Sequence, residues 1–187
     1  MLTQYETKRL YLCILPPTLE NARRQLSFYK KNAQRFEKYE PSRPDNFYTE
    51  EYHYSCLRYE YSSAKNGTGI RFWLFKKENP SQMIGTISFL NIRRGFYQDC
   101  VMGYKLDTDY EHQGFACEAL TKGIRIIFDE LGLHRIEAYI APDNLASLRV
   151  IDSLGFSHEG TTKKSIQIQG LWTDHEQYAL LNPGHPL

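Results

Sequence analysis

The chain has 187 residues, of which 24% are charged and 14% aromatic, and its formal net charge at pH 7 is +1. This length is typical of a single domain, here residues 1–187, that buries a hydrophobic core without disulfides or metals. The near-neutral charge argues against direct nucleic-acid binding, and no apolar run is long enough for a signal peptide or a membrane span, so we expect a soluble, cytoplasmic protein.

The first half of the chain predicts a strand, two helices and three further strands. "KRLYLCIL" is rich in strand-forming residues and is closed by Pro16. Residues 18–39 have a helical composition, and residues 49–64 form a second predicted helix with two glutamates in its first turn. Turn-like segments then separate three strand-like runs and favour an antiparallel meander: "IRFWLFKK", "MIGTISFLNI" and "CVMGYKLD".

The second half begins with a change in the spacing of apolar residues at Gly114, from two to 3.6. This spacing predicts a helix that stops at Gly132, with one apolar face: Ala116, Leu120, Ile124, Ile127 and Leu131. "HRIEAYIA" predicts a strand, and residues 144–154 a short helix. Two strands, "KKSIQI" and "QYALL", follow and are joined through "QGLWTDHE". The order β-α-α-β-β-β-α-β-α-β-β is that of an α+β, or mixed α/β, domain.

The cysteines and histidines form no recognisable metal site. The four cysteines are scattered, with no Cys-x-x-Cys pair and no paired histidines at ligand spacing: Cys13, Cys56, Cys100 and Cys117. We therefore expect reduced thiols and no structural zinc.

The segment "YEHQGFACEAL" has the features of an anion-binding helix start. A helix that follows a strand directs its free N–H groups and its positive dipole end at whatever lies in front of it. Gly114 would let a ligand approach the backbone, although small residues at this place are also consistent with simple packing. At about 6 Å and an effective dielectric near 20, the charge of Glu111 would oppose a phosphate by roughly 3 kcal/mol. We therefore expect this carboxylate to turn outward to solvent. A residue other than glycine at position 112 is acceptable if its φ is negative, and a partly protonated imidazole there would favour an anion.

Several motifs, in order, resemble those of the GNAT superfamily of acetyl-CoA-dependent N-acetyltransferases: "CVMGYKLD", "YEHQGFACEAL", "HRIEAYIAPDNLASLRVIDSLGF" and "LWTDHEQYAL". Further stretches are similar to the RimJ/RimL group, which acetylates the N-terminal amines of ribosomal proteins: "ETKRL", "FEKYEP" and "SFLNIRRGFYQDCVMGY". The resemblance covers nearly the whole chain. It implies a mixed, mostly antiparallel sheet that is flanked by helices and splays into a V after its fourth strand, with the pantetheine arm of acetyl-CoA in the gap.

The resemblance also implies which residues bind the co-substrate, acetyl-CoA. The backbone of Tyr104 and Leu106 matches positions that pair with the pantetheine amides, and Asn144 matches a residue that bonds the same arm. Ser147 matches a hydroxyl proposed in relatives to protonate the departing thiolate, and is the predicted catalytic residue. The N–H groups expected to hold the pyrophosphate belong to a segment that we call the anion loop: Glu111, His112, Gln113, Gly114, Phe115 and Ala116.

Three positions depart from the family pattern. Glu111 stands where Gln or Arg is common, and His112 where Gly is common. Val101 occupies the place of a glutamate that deprotonates the amine in many members. Asp99, two residues earlier, is a candidate stand-in, although its position favours a turn residue.

The resemblance implies that the acceptor is the N-terminal alanine of the fifth small-subunit ribosomal protein, and that the enzyme is a monomer or a dimer. Deprotonating an α-amine at pH 7 costs about 1 kcal/mol, against nearly 5 for a lysine, so a site without a strong base suits an N-terminal amine. A strand bulge, which Gly103 would permit, would aim a backbone N–H near Leu106 at the thioester carbonyl. Two alternatives remain open: acetylation of a small amine, such as a polyamine, an amino acid or an antibiotic, and a non-catalytic acyl-CoA-binding or ribosome-assembly factor.

Overall fold

A computed structural model describes residues 2–185 of the chain. Its helices and strands follow one another in this order: β1 (Gln4–Glu6), β2 (Leu10–Cys13), α1 (Leu19–Lys31), α2 (Ala33–Glu37), α3 (Glu50–Asn66), β3 (Ile70–Lys76), β4 (Asn79–Arg93), β5 (Asp99–Leu106), α4 (Phe115–Arg125), β6 (Arg135–Ile140), α5 (Leu145–Ser153), β7 (Ser157–Ile168) and β8 (Leu171–Leu181). A 3₁₀ turn precedes α4, and a π-helical turn continues it.

The strands form one sheet in the order β1-β2-β3-β4-β5-β6-β8-β7. Neighbouring strands are antiparallel, except for β5 and β6, which are parallel. The predicted mixed, mostly antiparallel sheet with flanking helices is therefore confirmed.

The two parallel strands separate soon after they meet. Their pairing covers three residue pairs and ends where Val101 faces Glu137. β5 nevertheless continues to Leu106 and β6 to Ile140. The last five residues of β5 thus have no sheet partner on the β6 side, which opens a gap in the sheet.

Helix α4 packs on one face of the sheet because its apolar positions recur at helical spacing. Leu120 and Ile127 are fully buried, as the sequence pattern predicts. Gly123 permits the close approach: a Cβ there would lie 2.7 Å from both Ile87 Cδ1 and Phe89 Cε2. Helices α1 and α3 cover the opposite face, where a second apolar cluster surrounds Trp73, Phe28 and Phe36.

The predicted helix over residues 18–39 is interrupted at Asn32, so this prediction is wrong in its continuity. The Asn32 Nδ2 donates to the Phe28 carbonyl at 2.9 Å, and its Oδ1 accepts the Thr108 N–H at 3.0 Å. This buried side chain bonds the helical backbone and a distant loop at once, which ends α1 and starts α2 in a new direction.

Three predicted strand boundaries are also wrong. "KRLYLCIL" spans a tight turn, where the Thr7 hydroxyl accepts the Leu10 N–H at 2.9 Å, and only residues 10–13 form β2. Most of the predicted connection "QGLWTDHE" lies in β8, because Gln169 and Gly170, at φ values of 47° and 81°, make a two-residue hairpin turn. β4 begins at Asn79 and so includes most of the predicted turn "ENPSQ".

No helix within residues 2–185 combines the length and the apolar character that a membrane crossing requires.

Candidate active site

The gap between β5 and β6 opens into a cavity of about 530 Å³, which we call the cleft. The end of β5 and the end of β6 form its two sides. The anion loop, the first turn of α5 and helix α2 complete the wall. An extended ligand arm can lie along such an unpaired strand edge, because the edge offers peptide groups that no neighbouring strand uses.

The free peptide groups of β5 belong to alternate residues. The Asp107 N–H donates to the Ile84 carbonyl on β4 at 2.8 Å. Because successive residues of a strand point to opposite sides, the peptide groups of Tyr104 and Leu106 point away from β4 and into the cleft. The β4–β5 register runs without a shift from Gly85 to Leu90, so the bulge predicted at Gly103 is absent. Any backbone donor to a thioester must therefore come from this regular strand edge.

The N-terminus of α4 faces the same cleft. Gly114 is its N-cap residue, with a φ of 76°, and no side chain caps the helix. The first-turn N–H groups are therefore available to a ligand. Phe115 is buried below them and Ala116 lines the cleft, whereas the Gln113 side chain turns away and donates to the Asp109 carbonyl at 2.8 Å.

His112 has a φ of 59°, which lies in the left-handed region, so the condition of a negative φ at this position is not met. A side chain is disfavoured in this conformation, whereas glycine adopts it freely. This backbone geometry explains why glycine is common at the matching family position. The imidazole itself is 81% exposed.

Glu111 does not turn outward to solvent, so this prediction is wrong. Its side chain is 27% exposed and lines the cleft. Arg35 on α2 reaches across and donates from Nε to Glu111 Oε1 at 3.0 Å. An ion pair, rather than distance, therefore offsets the negative charge beside the anion loop.

A second arginine, Arg9, also contacts the start of α4, and the sequence analysis assigned it no role. Arg9 donates from Nε to Glu118 Oε2 at 2.6 Å and from Nη1 to the Gln113 carbonyl at 3.0 Å. Its guanidinium also stacks over the Phe115 ring at 4.2 Å. Burial works to raise the pKa of Glu118, but hydrogen bonds from Thr7 and Arg9 outweigh it and hold this pKa below its usual value. Arg9 belongs to "ETKRL", so the family motif was the only available signal.

Asn144 and Ser147 meet at the start of α5. Asn144 caps the helix, because its Oδ1 accepts the Ser147 N–H at 3.3 Å. The Asn144 Nδ2 has no hydrogen-bond partner in the described part of the chain and is available to a ligand. The residues Ser147 and Tyr104 both line the cleft. Burial raises the pKa of Tyr104 to about 12, while the contact with Ser147 acts in the opposite direction.

Asp99 does not line the cleft, whose lining residues on β5 begin at Met102. The carboxylate is buried and accepts both Nε and Nη2 of Arg93, the former at 2.8 Å. It is therefore an ion-paired structural residue rather than a replacement for the glutamate missing at Val101.

Further charged groups lie near the strands that border the cleft, and each of them already has a partner. Glu137, opposite Val101 in the register, accepts Arg135 Nε at 2.9 Å and the Tyr139 hydroxyl at 2.8 Å. Burial raises the pKa of Tyr139 to about 12, and the bond to Glu137 adds to the effect. Across the cleft, Lys105 Nζ lies 3.0 Å from Glu40 Oε1.

The hairpin of β7 and β8 reaches the end of α2 beside the cleft. Gln169, at its tip, donates from Nε2 to the carbonyls of Glu37 and Glu40 at 3.0 and 3.1 Å. His175, on β8, is buried and lines the cleft. The tip of the hairpin and the end of α2 are thus bonded to each other and form an arch beside the cleft.

The uncapped helix, the free strand edge and two nearby arginines together fit a ligand that has a diphosphate and an extended amide-containing arm. No comparable arrangement of side chains indicates a metal site, since residues 2–185 contain no group of three or more His, Cys, Asp or Glu side chains that could hold a metal ion.

Comparison with known proteins identifies the family. The profile of the acetyltransferase (GNAT) domain matches residues 11–157. The chain belongs to the GNAT acetyltransferase family. This membership confirms the predicted enzyme class and, with it, acetyl-CoA as the co-substrate, and it favours an enzyme over a non-catalytic binding protein.

Among individual relatives, a probable N-acetyltransferase of Bacillus subtilis, YjcK, is 34% identical over 170 residues, which are 91% of this chain and 93% of that protein. The [ribosomal protein uS5]-alanine N-acetyltransferase of Escherichia coli is 35% identical over 119 residues, or 64% of this chain and 61% of that protein. The crystal structure of the ribosomal-protein-S5-alanine acetyltransferase of Vibrio fischeri superimposes with a TM-score of 0.90 at 28% identity and covers 98% of this chain and 99% of that one.

Proposed function

We propose that this GNAT acetyltransferase acetylates the N-terminal alanine of a ribosomal protein, uS5. The relatives from Escherichia coli and Vibrio fischeri, which are named for this reaction, support the choice of acceptor. The observation that carries the acyl-transfer part is the unpaired edge of β5, which leads from the N-terminus of α4 toward the splay point at Val101.

Different residues of the cleft bind different parts of acetyl-CoA. Acetyl-CoA supplies the acetyl group as a thioester. The backbone groups of Tyr104 and Leu106 hold its amide-containing arm, and Asn144 Nδ2 donates to the same arm. The N–H groups of the anion loop hold the diphosphate, because they are concentrated at the positive end of a helix dipole.

Ser147 is the proton donor in this proposal. The amine nitrogen forms a bond to the carbonyl carbon while the bond from that carbon to sulfur breaks. The Ser147 hydroxyl gives its proton to the departing sulfur and regains one through solvent, where the amine has released its own.

Replacing Ser147 by alanine tests this role. We expect kcat to fall by about 100-fold or more, since general-acid catalysis contributes on this order, while the Kd for CoA changes by less than about twofold. Ser153→Ala is the matched control, because that hydroxyl lies on the same helix but donates to the Val150 carbonyl at 2.7 Å. An S147A enzyme with the rate of the control would remove Ser147 from the mechanism.

The acceptor is tested by thiol release from acetyl-CoA with a panel of amines. The panel contains peptides that begin with Ala, Ser or Met, together with free lysine and spermidine. We expect the alanine peptide to be the best acceptor. Spermidine or lysine as the best acceptor would refute the proposed substrate and leave the acetyltransferase assignment intact.

One observation favours the second candidate, acetylation of a small amine. The arch in which Gln169 bonds the carbonyls of Glu37 and Glu40 lies beside the cleft. An extended peptide that enters on this side has to pass below the arch, whereas a small amine does not depend on its width. Gln169→Ala therefore discriminates: it should raise the rate with peptides only if peptides are true acceptors that the arch restricts.

A further inference from the structure

We infer that Arg35 is a co-substrate-binding residue, which neutralises Glu111 and presents its free guanidinium nitrogens to the diphosphate of acetyl-CoA. The inference rests on the proposed binding of the diphosphate at the anion loop. Arg35 and Glu111 both line the cleft and are joined by the 3.0 Å bond from Nε. The two Nη groups of Arg35 bond no other side chain or carbonyl between residues 2 and 185.

Three carboxylates lie within five residues just before and at the start of the anion loop, those of Asp107, Asp109 and Glu111. Left alone, they would repel any phosphate at the start of α4. Each of them is paired with a cation from α1 or α2. Lys31 Nζ lies 2.8 Å from Asp107 and 2.6 Å from Asp109, and Arg35 takes Glu111.

The break between α1 and α2 is what brings these cations into place. Asn32 stops α1 and accepts the Thr108 N–H at 3.0 Å, so the junction is bonded directly to the acidic loop. Lys31 precedes this anchor and Arg35 follows it by one helical turn. A continuous helix would carry Arg35 in a different direction, and Glu111 would keep its full charge beside the phosphate site.

The chemistry of arginine fits this double contact. A guanidinium is planar and offers donors on two edges, so Nε can bond a carboxylate while the Nη groups face a phosphate. Lysine carries the same charge as a single point and cannot make both contacts with fixed geometry. The resemblance to the family leads one to expect Gln or Arg at position 111. The negative charge of the glutamate found there is compensated by Arg35, 76 positions earlier in the chain.

Calorimetric titration of the purified protein with CoA tests the inference through binding alone. We expect Arg35→Ala to weaken the affinity for CoA by about 10- to 100-fold, because it removes an attraction and exposes a repulsion. Glu111→Gln should improve the affinity for CoA, because it removes the opposing charge and keeps the backbone N–H groups of the loop. In the Arg35→Ala background, the same Glu111→Gln change should raise the affinity for CoA at least about fivefold. The affinity of Arg35→Lys for CoA should lie between those of Arg35→Ala and the unchanged protein.

Arg23→Ala is the matched control, since Arg23 also donates from Nε to a glutamate, Glu50, at 2.9 Å, but on the exposed surface. Circular dichroism melting of each variant verifies that it is folded. An Arg35→Ala affinity equal to that of the control would overturn the inference while CoA binding itself persists. The absence of CoA binding by the unchanged protein would instead overturn the proposed function, and the inference with it.

Titration with 3′-dephospho-CoA identifies the phosphate that Arg35 meets. The affinity loss of Arg35→Ala should be the same for CoA and for 3′-dephospho-CoA, because both contain the diphosphate. A loss that disappears with 3′-dephospho-CoA would overturn the diphosphate contact.

Discussion

Replacing His112 by glycine should stabilise the protein, although glycine destabilises most positions. The φ of 59° costs a residue with a side chain roughly 1–2 kcal/mol, and glycine avoids this cost but loses about 0.5–1 kcal/mol of conformational entropy on folding. Little contact energy is lost, because the imidazole is 81% exposed and its Nε2 lies 4.0 Å from Glu111. The net gain is about 0.5–1 kcal/mol, which corresponds to a rise of about 1–4 °C in the unfolding midpoint.

Alanine at the same position isolates the backbone term. His112→Ala also removes the imidazole but keeps a Cβ, so the unfavourable φ remains. We expect the glycine variant to be more stable than the alanine variant by about 1 kcal/mol, the reverse of the order at a position with negative φ. Scanning calorimetry without CoA measures both midpoints under one set of conditions.

An alanine variant that melts at or above the temperature of the glycine variant would refute the reasoning. It would mean that residue 112 does not hold the left-handed conformation in solution. The explanation for glycine at the matching family position would then fail too, since it depends on the same backbone geometry.

Two further predictions concern buried positions. Gly123→Ala should lower the midpoint of thermal unfolding by about 2–6 °C. The new Cβ would lie 2.7 Å from Ile87 Cδ1 and Phe89 Cε2, and the overpacking cost of roughly 1–3 kcal/mol exceeds the gain in helix propensity. An unchanged midpoint would mean that these side chains repack freely. The protein should lose about 2 kcal/mol of stability between pH 7 and pH 5, because burial and then the nearby Arg43 charge lower the pKa of His53 from 6.5 to about 4. The unfolded chain binds the proton first, so stability falls as the pH drops through this window. Urea unfolding of the unchanged protein and of His53→Gln checks it, and an identical pH dependence of the two would contradict the assignment.

Apart from the short strand β1 and the separate helix α2, which were not predicted, the order of the elements could be predicted because hydrophobic periodicity is a local signal. In the predicted apolar face of α4 and the turn that continues it, Leu120, Ile124 and Ile127 are buried, whereas Ala116 and Leu131 at its two ends are half-buried. The break at Asn32 left no such signal. Its cause is a bond to Thr108, 76 residues away, and a long-range contact of one polar side chain leaves the local composition helical.

The residues of the candidate site also fall into two groups, those in contiguous motifs and those brought together only by folding. Its peptide groups lie in contiguous stretches, so the motif containing Gly114 and the strand containing Tyr104 could be located from sequence. Arg9 and Arg35 come from elsewhere in the chain and meet the anion loop only in the folded protein. The outward direction expected for Glu111 was wrong for this reason: electrostatics required that its charge be offset, and only the structure reveals a cation that offsets it.

The charges on the acceptor side explain how an enzyme of this family can function without a glutamate at Val101. Three carboxylates lie near β5 or the end of β6, and each is held by a cation: Asp99 by Arg93, Glu137 by Arg135 and Glu40 by Lys105. Each of these carboxylates already has a cationic partner, so none of the three is left free to meet an incoming amine. Such a site acts best on an amine that needs little help to become neutral, and an α-amine needs about 1 kcal/mol at pH 7 where a lysine needs nearly 5. The pairing of these carboxylates therefore supports the N-terminal amine that we propose as the acceptor.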